Sequence, residues 1–263
     1  MKILFWNCKH NISCEDIILL LKDENIDVAF FAEATSKWQN EILCKMNNYV
    51  AGSVIGNCKK IIYINKTIIK SAIVREQGRY LITKITDSTT SFVIGAVHMR
   101  DKRSSMDQER IHDCTLLADD MRNAENDNGI SNSIIIGDFN CNPWETPMTL
   151  KYGLNAVMYK DVIKNHNGGC VYGEVSYKYY YNPMLSFVSE DEGKLGSIYN
   201  TNDVDTIYWN IFDQVLISPT LVDRLSKVEL LKGFCGVSLV SNTGIPNKEK
   251  YSDHLPLIVE VSN

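Results

Sequence analysis

Short apolar runs that each stop at a polar residue constrain this chain more than any other feature. Ile3-Leu4-Phe5-Trp6 ends at Asn7, Val28-Ala29-Phe30-Phe31-Ala32 at Glu33, and Phe92-Val93-Ile94-Gly95-Ala96-Val97 at His98. Ile134-Ile135-Ile136-Gly137 runs into Asp138 and Asn140, and Asp213 stands between Ile211-Phe212 and Val215-Leu216-Ile217. Asp253-His254 precede Leu255-Pro256-Leu257-Ile258-Val259. Continuous apolar runs of about four to eight residues suit strands buried on both faces. A carboxylate or imidazole at a strand end avoids full burial while a rigid element holds it, as a preorganised site requires. Taken singly, each such residue reads as a satisfied polar residue or a turn former, and Asp138 with Asn140 as an Asx turn. Their repetition points to a site.

The remaining elements follow from periodicity. Strands are expected over 2–8, 27–32, 60–64, 68–76, 79–86, 91–98, 133–136, 207–217 and 257–261, with an alternating stretch over 175–181. Ser13 and Asp16 resemble a capping box before a helix with Ile17, Leu20 and Leu21 on its apolar face. Further helices are expected over 36–46 and about 105–124, the latter with a stripe of Ile111, Cys114, Leu117, Ala118 and Met121. The polar stretch 182–206 reads as a surface loop. No repeat or low-complexity linker divides the chain, so one domain over residues 1–263 is expected. Helices between groups of strands imply an α/β or α+β fold of packed sheets.

Composition narrows the function. With 44% hydrophobic and 22% charged residues the chain is not disordered. No run approaches the roughly 20 apolar residues of a membrane span, and the first residues lack the apolar core of a secretory signal. A cytoplasmic protein with no membrane insertion is expected. The eight cysteines form no Cys-x-x-Cys pair, so free thiols are the expectation. A formal charge of −5 excludes a generic polybasic nucleic-acid binder but not an enzyme with a local basic rim.

Gly137-Asp138-Phe139-Asn140-x-x-Pro143 and Ser252-Asp253-His254, with Ala32-Glu33 and Val97-His98 in order between Trp6-Asn7 and Leu255-Pro256, resemble the endonuclease/exonuclease/phosphatase superfamily of metal-dependent phosphoesterases. That resemblance implies a four-layered α/β/β/α sandwich of two mixed sheets flanked by helices, with the site at one end of the sheets. It implies Mg²⁺ or Mn²⁺, for which carboxylate and amide oxygens are suitable hard ligands. By similarity Glu33 is the principal metal ligand, and Asn7 and Asp253 complete or support the site. Asp138 positions or deprotonates water, Asn140 holds the phosphate or that water, and His98 donates to a phosphate oxygen. His254 acts on the phosphate or as a base, oriented by Asp213. Departures from the family pattern are Ala32, where many members have Gln, and Ala96-Val97 before the middle histidine. No tyrosine stands in a diagnostic motif, leaving Tyr63 and Tyr80 as alternatives.

Around this set, Arg100, Lys102 and Arg103 form either a phosphate-facing rim or a solvated charged loop, and Trp144 is the best candidate for an aromatic substrate contact. The acidic stretch 190–192 is expected away from any phosphate groove, and His10, His112 and His166 are read as structural or exposed. The leading expectation is a divalent-metal-dependent phosphodiester hydrolase acting on DNA or RNA, with nucleic acid as substrate and no obligate protein partner. The alternatives are a phosphatase or phospholipid phosphodiesterase on the same scaffold, and a catalytically silent binding protein.

Overall fold

The computed structural model describes residues 1–9, 12–34, 36–52, 61–189, 193, 195–201 and 206–262. The readings of His10 and of the stretch 190–192 lie outside these residues. β1 (Lys2–Asn7) and β2 (Val28–Ala32) are parallel neighbours joined by α1 (Cys14–Asp23). The backbone N–H of Asp16 donates to the Ser13 hydroxyl at 3.1 Å, so the expected cap is formed. α2 (Ser36–Lys45), β3 (Tyr49–Ala51) and β4 (Ile61–Lys66) follow. The first sheet runs Leu225–Leu230, Leu257–Val261, β1, β2, β4, β3, and only the β1–β2 pair is parallel.

β5 (Lys70–Gln77), β6 (Tyr80–Thr86) and β7 (Ser91–His98) form an antiparallel meander. α3 (Asp107–Asn128) then crosses to β8 (Ser133–Asp138), which lies parallel to β7. Gly129, with φ 63°, ends α3 in the left-handed conformation that glycine adopts without penalty. The second sheet runs β5, β6, β7, β8, Asp213–Ile217, Tyr180–Tyr181, Ala156–Val157. Both sheets are mixed and the fold is α/β.

Alternation along the strands explains the layers. Phe92, Ile94, Ala96, Ile134, Ile136, Val215 and Ile217 share a core with the first sheet. Their neighbours Val93, Val97, Ile135 and Leu216 pack against Cys114, Leu117, Ala118 and Met121 of α3. Both faces of the central strands are therefore dry, which is why they read as unbroken apolar runs. Each fully buried Val, Ile, Leu, Phe or Met among them contributes about 1.5–3 kcal/mol. Among the described residues no helix is long and apolar enough to cross a membrane.

Three expectations about the strands change. The run expected over 207–217 is split. Trp209–Asn210 pairs with Ile198–Tyr199, and only Asp213–Ile217 enters the second sheet. The alternating stretch divides into Val175–Lys178, paired with Gly169–Tyr172, and Tyr180–Tyr181. The stretch 182–206 holds a 3-10 helix, Pro183–Phe187, besides Ile198–Tyr199, because pairing rather than apolar content orders it.

Candidate active site

Strand register brings the polar ends together. His98 of β7 lies opposite Asp138 of β8, and Asp138 lies opposite Asp213 on the next strand. In the other sheet Asn7 pairs with Ala32, the residue before Glu33. Asp138 continues the inward-facing row of Ile134 and Ile136, and so meets Asn7 between the sheets. Asn7 Nδ2 donates to Asp138 Oδ2 at 3.0 Å and to Glu33 Oε1 at 3.4 Å. His98 Nε2 reaches the same two carboxylate oxygens, at 3.5 Å from Glu33 and 3.9 Å from Asp138. Glu33 takes φ 53°, a left-handed conformation uncommon for a side chain of this kind and frequent where a site holds it.

His254 enters from the segment before the last strand. Its Nδ1 and Asp213 Oδ2 are 2.7 Å apart, both side chains are buried, and Nε2 lies 4.0 Å from Asp138 Oδ2. Burial disfavours charge on the ring, but the Asp213 carboxylate, then Asp138 and Asp253, outweigh it and push the His254 pKa up to about 10. Burial raises Asp213 in turn, against the lowering influence of His254. Asp213 and the neighbouring carboxylates thus keep the His254 ring protonated through the neutral range.

Asp138 and Asn140 form the Asx turn that was the alternative to a catalytic reading. Asn140 N donates to Asp138 Oδ1 at 2.8 Å, and Asn140 Nδ2 to the Met99 carbonyl at 3.1 Å. The turn fixes the Asp138 carboxylate from one side while Asn7 fixes it from the other. Asp253 is salt-bridged to Lys9. Burial opposes its charge, yet His254 and Lys9 hold its pKa below the ordinary carboxylate value. Among the described residues no hydrogen bond joins Asp253 to Glu33 or Asn7.

The expected basic rim is divided. Arg100 pairs with Asp113 of α3 at 2.8 Å, and Lys102 pairs with Glu145 while its ammonium stands 5.2 Å over the Phe212 ring. Arg103 instead lines a cleft with Lys9 and Asp253. Trp144 is 42% exposed in the turn after β8. Tyr63 is buried and stacked on Phe30, and Tyr80 donates to Asp120 of α3 at 2.6 Å, so packing accounts for both tyrosines.

Sequence reading gave no role to two serines. Ser197 Oγ accepts the backbone N–H groups of Phe212 and Asp213, each at 3.1 Å, and so sets where the Asp213 strand begins. Ser252 Oγ donates to the Asn7 carbonyl at 2.6 Å and accepts from His254 N at 3.1 Å, tying the end of β1 to the histidine. Ser252 belongs to the Ser252-Asp253-His254 motif, whereas Ser197 lies in the stretch read as loop and carries no sequence signal.

Two carboxylates, Glu33 and Asp138, share one amide donor and one imidazole nitrogen. Their mutual repulsion and all-oxygen character fit a hard divalent cation. Cys8, beside Glu33, is raised well above the ordinary thiol value by burial and then by the Glu33 charge, so it offers no soft thiolate. Asp138, Asp213 and His254 also bring ligand atoms within 4.8 Å of one another, but Nδ1 of that histidine is engaged by Asp213.

No protein-family model and no curated protein matches the chain. Solved structures do. An endonuclease/exonuclease/phosphatase family protein from Bacteroides thetaiotaomicron superposes with TM-score 0.61 at 14% identity, over 99% of this chain and 97% of that one. The chain has the endonuclease/exonuclease/phosphatase fold. D. rerio TDP2, solved with a single-strand DNA product, shares this fold with TM-score 0.60 at 16% identity over 100% and 99% of the two chains. A mannosyl-6-phosphatase from B. thetaiotaomicron shares it with TM-score 0.59 at 14% identity over the full length of both. The four-layered sandwich expected from the motifs is thus the observed endonuclease/exonuclease/phosphatase architecture.

Proposed function

We propose that the chain is a divalent-metal-dependent phosphodiester hydrolase whose substrate is DNA or RNA. The observation that carries this reading is the convergence of Asn7, Glu33, His98, Asp138 and the Asp213–His254 pair at one end of both sheets. Glu33 and Asn7 would hold Mg²⁺ or Mn²⁺, with Asp253 supporting from its bridge to Lys9. When bound, such an ion relieves the negative charge of the phosphate as a Lewis acid.

The side chains supply the rest. Asp138, fixed between Asn7 Nδ2 and Asn140 N, orients the attacking water and accepts its proton. His254, held by Asp213 with Nε2 toward Asp138, presents a protonated nitrogen to a phosphate oxygen and stabilises charge as it develops. His98 Nε2, between Glu33 and Asp138, donates from the opposite strand. Asn140 completes the phosphate cradle.

The test is a panel assay with Mg²⁺ or Mn²⁺ on single- and double-stranded DNA, RNA, bis(p-nitrophenyl) phosphate and p-nitrophenyl phosphate. Turnover of nucleic acid and the diester supports the proposal. Turnover of the monoester alone replaces it with a phosphatase.

A further inference from the structure

A cleft of about 350 Å³ opens beside the candidate active site and shares Asp253 and its partner Lys9 with it. Lys9, Arg103, Tyr199, Lys248 and Asp253 line it. It shares a wall with the site. Asp253 adjoins His254, Lys9 follows Asn7 by two residues, and the lining residue Ile198 bridges His254 directly. Three lining residues are cations and one is a carboxylate, in a chain whose formal charge is −5.

Lys9 is built into place. Its backbone takes φ 47°, a conformation seldom adopted by a long side chain without surrounding support. Its ammonium bonds Asp253, and its side chain is still 47% exposed toward solvent. An ammonium has three donors, so the bond to Asp253 aims the group without exhausting it. Tyr199 is held in turn by Trp209, with ring centroids 5.1 Å apart. Cations and an aromatic ring in one lining suit a phosphate carried on an organic body. The volume lies at the low end of ligand pockets, about 300–1,000 Å³, so it admits a single unit and not a duplex.

We infer that this cleft binds a second phosphate of the substrate, one unit from the scissile phosphate, and that Lys9 is the residue that grips it. This rests on the phosphodiesterase reading and narrows it to substrates that carry a phosphate, internal or terminal, one unit from the scissile one. The test compares dTpdT with the same dinucleotide carrying a 5′- or a 3′-terminal phosphate, in Mn²⁺. A charged hydrogen bond of this kind corresponds to about a tenfold or larger effect. One terminal phosphate should lower KM by about that factor in the wild type. Lys9→Met should abolish the preference, and Lys9→Arg should retain part of it. Lys248→Met, in the same cleft, should reduce the preference if Lys9→Met does not fold.

Equal KM values for the wild type, or an undiminished preference in Lys9→Met, would overturn the inference and leave Lys9 as a latch on Asp253. If neither the dinucleotides nor bis(p-nitrophenyl) phosphate is hydrolysed, the phosphodiesterase reading fails on its own. Calorimetry with thymidine 3′,5′-bisphosphate against thymidine 5′-monophosphate then decides the cleft. The bisphosphate should bind about tenfold more tightly, and only while Lys9 is present. Equal affinities would end the proposal.

Discussion

Gly137 is the position where a single methyl group should do most damage to the site. It has φ 150°, and a Cβ built on it would fall 2.1 Å from the Val97 carbonyl oxygen and 2.8 Å from Val97 N. Both atoms are backbone of the paired strand, since Val97 and Gly137 are partners in the β7–β8 ladder. Neither moves without opening that ladder. The strained conformation costs about 1–3 kcal/mol, and the added volume costs about as much again. Gly137→Ala should therefore destabilise by about 2–6 kcal/mol, against a total stability of about 5–15 kcal/mol. Gly95→Ala, one strand over, is the internal control. Its Cβ would meet Met121 Sδ at 2.9 Å, the end of a flexible side chain, and then nothing closer than 3.6 Å. That variant should change stability by about 1 kcal/mol or less. Urea unfolding followed by circular dichroism distinguishes the two. Comparable midpoints for both variants would refute the argument that close backbone approach at Gly137 sets the position of Asp138.

Four further outcomes follow from the site geometry. Glu33→Gln should weaken Mn²⁺ binding at least about tenfold by calorimetry while unfolding like the wild type, because ligands matter no less than their supporting shell. Asp213→Ala and His254→Ala should each cost nearly what the double variant costs in kcat, since a hydrogen-bonded pair acts as a unit; additive losses would separate them. His254 has a folded pKa of about 10 and an ordinary value near 6.5, so its contribution to stability is complete below about pH 6.5 and is lost as pH rises through about 10. The stability gap between wild type and His254→Gln should accordingly narrow from pH 6 to pH 10, and a gap that widens would reverse the assigned direction. Replacing Arg100 and Lys102 together should change the salt dependence of DNA binding little, because Asp113 and Glu145 already engage them; a slope reduced by about two phosphates would restore them as a binding rim.

The parts of the fold that were legible in the sequence share one physical property. β1, β2, β7 and β8 are buried on both faces, so their composition announces them, and a polar residue at the end of such a run stands out. The Asp213 strand was harder to delimit. Ile207 and Tyr208 continue its apolar pattern while exposed, and the break between Trp209–Asn210 and Asp213–Ile217 depends on pairing with distant segments. Ser197 was invisible for the same reason, because its hydroxyl matters only once residues 15 and 16 positions away are brought to it. Charge was the least legible. Arg100, Lys102 and Arg103 look equivalent in sequence, and only the positions of α3, Glu145 and the Asp253 loop assign them different partners and surroundings. Lys9 gave no signal at all, since one lysine after a strand has no pattern to distinguish it.

On the proposed function, Asn7, Glu33, His98, Asp138, Asp213 and His254 form one metal-dependent phosphodiester-hydrolysing centre. Its most direct test is the rate of bis(p-nitrophenyl) phosphate and single-stranded DNA hydrolysis as Mn²⁺ is titrated into protein first stripped with EDTA. No turnover is expected in EDTA, and a saturable rise with Mn²⁺ that Glu33→Gln shifts to far higher concentration. Turnover that persists in excess EDTA, or none for either diester at any Mn²⁺ concentration, would contradict it.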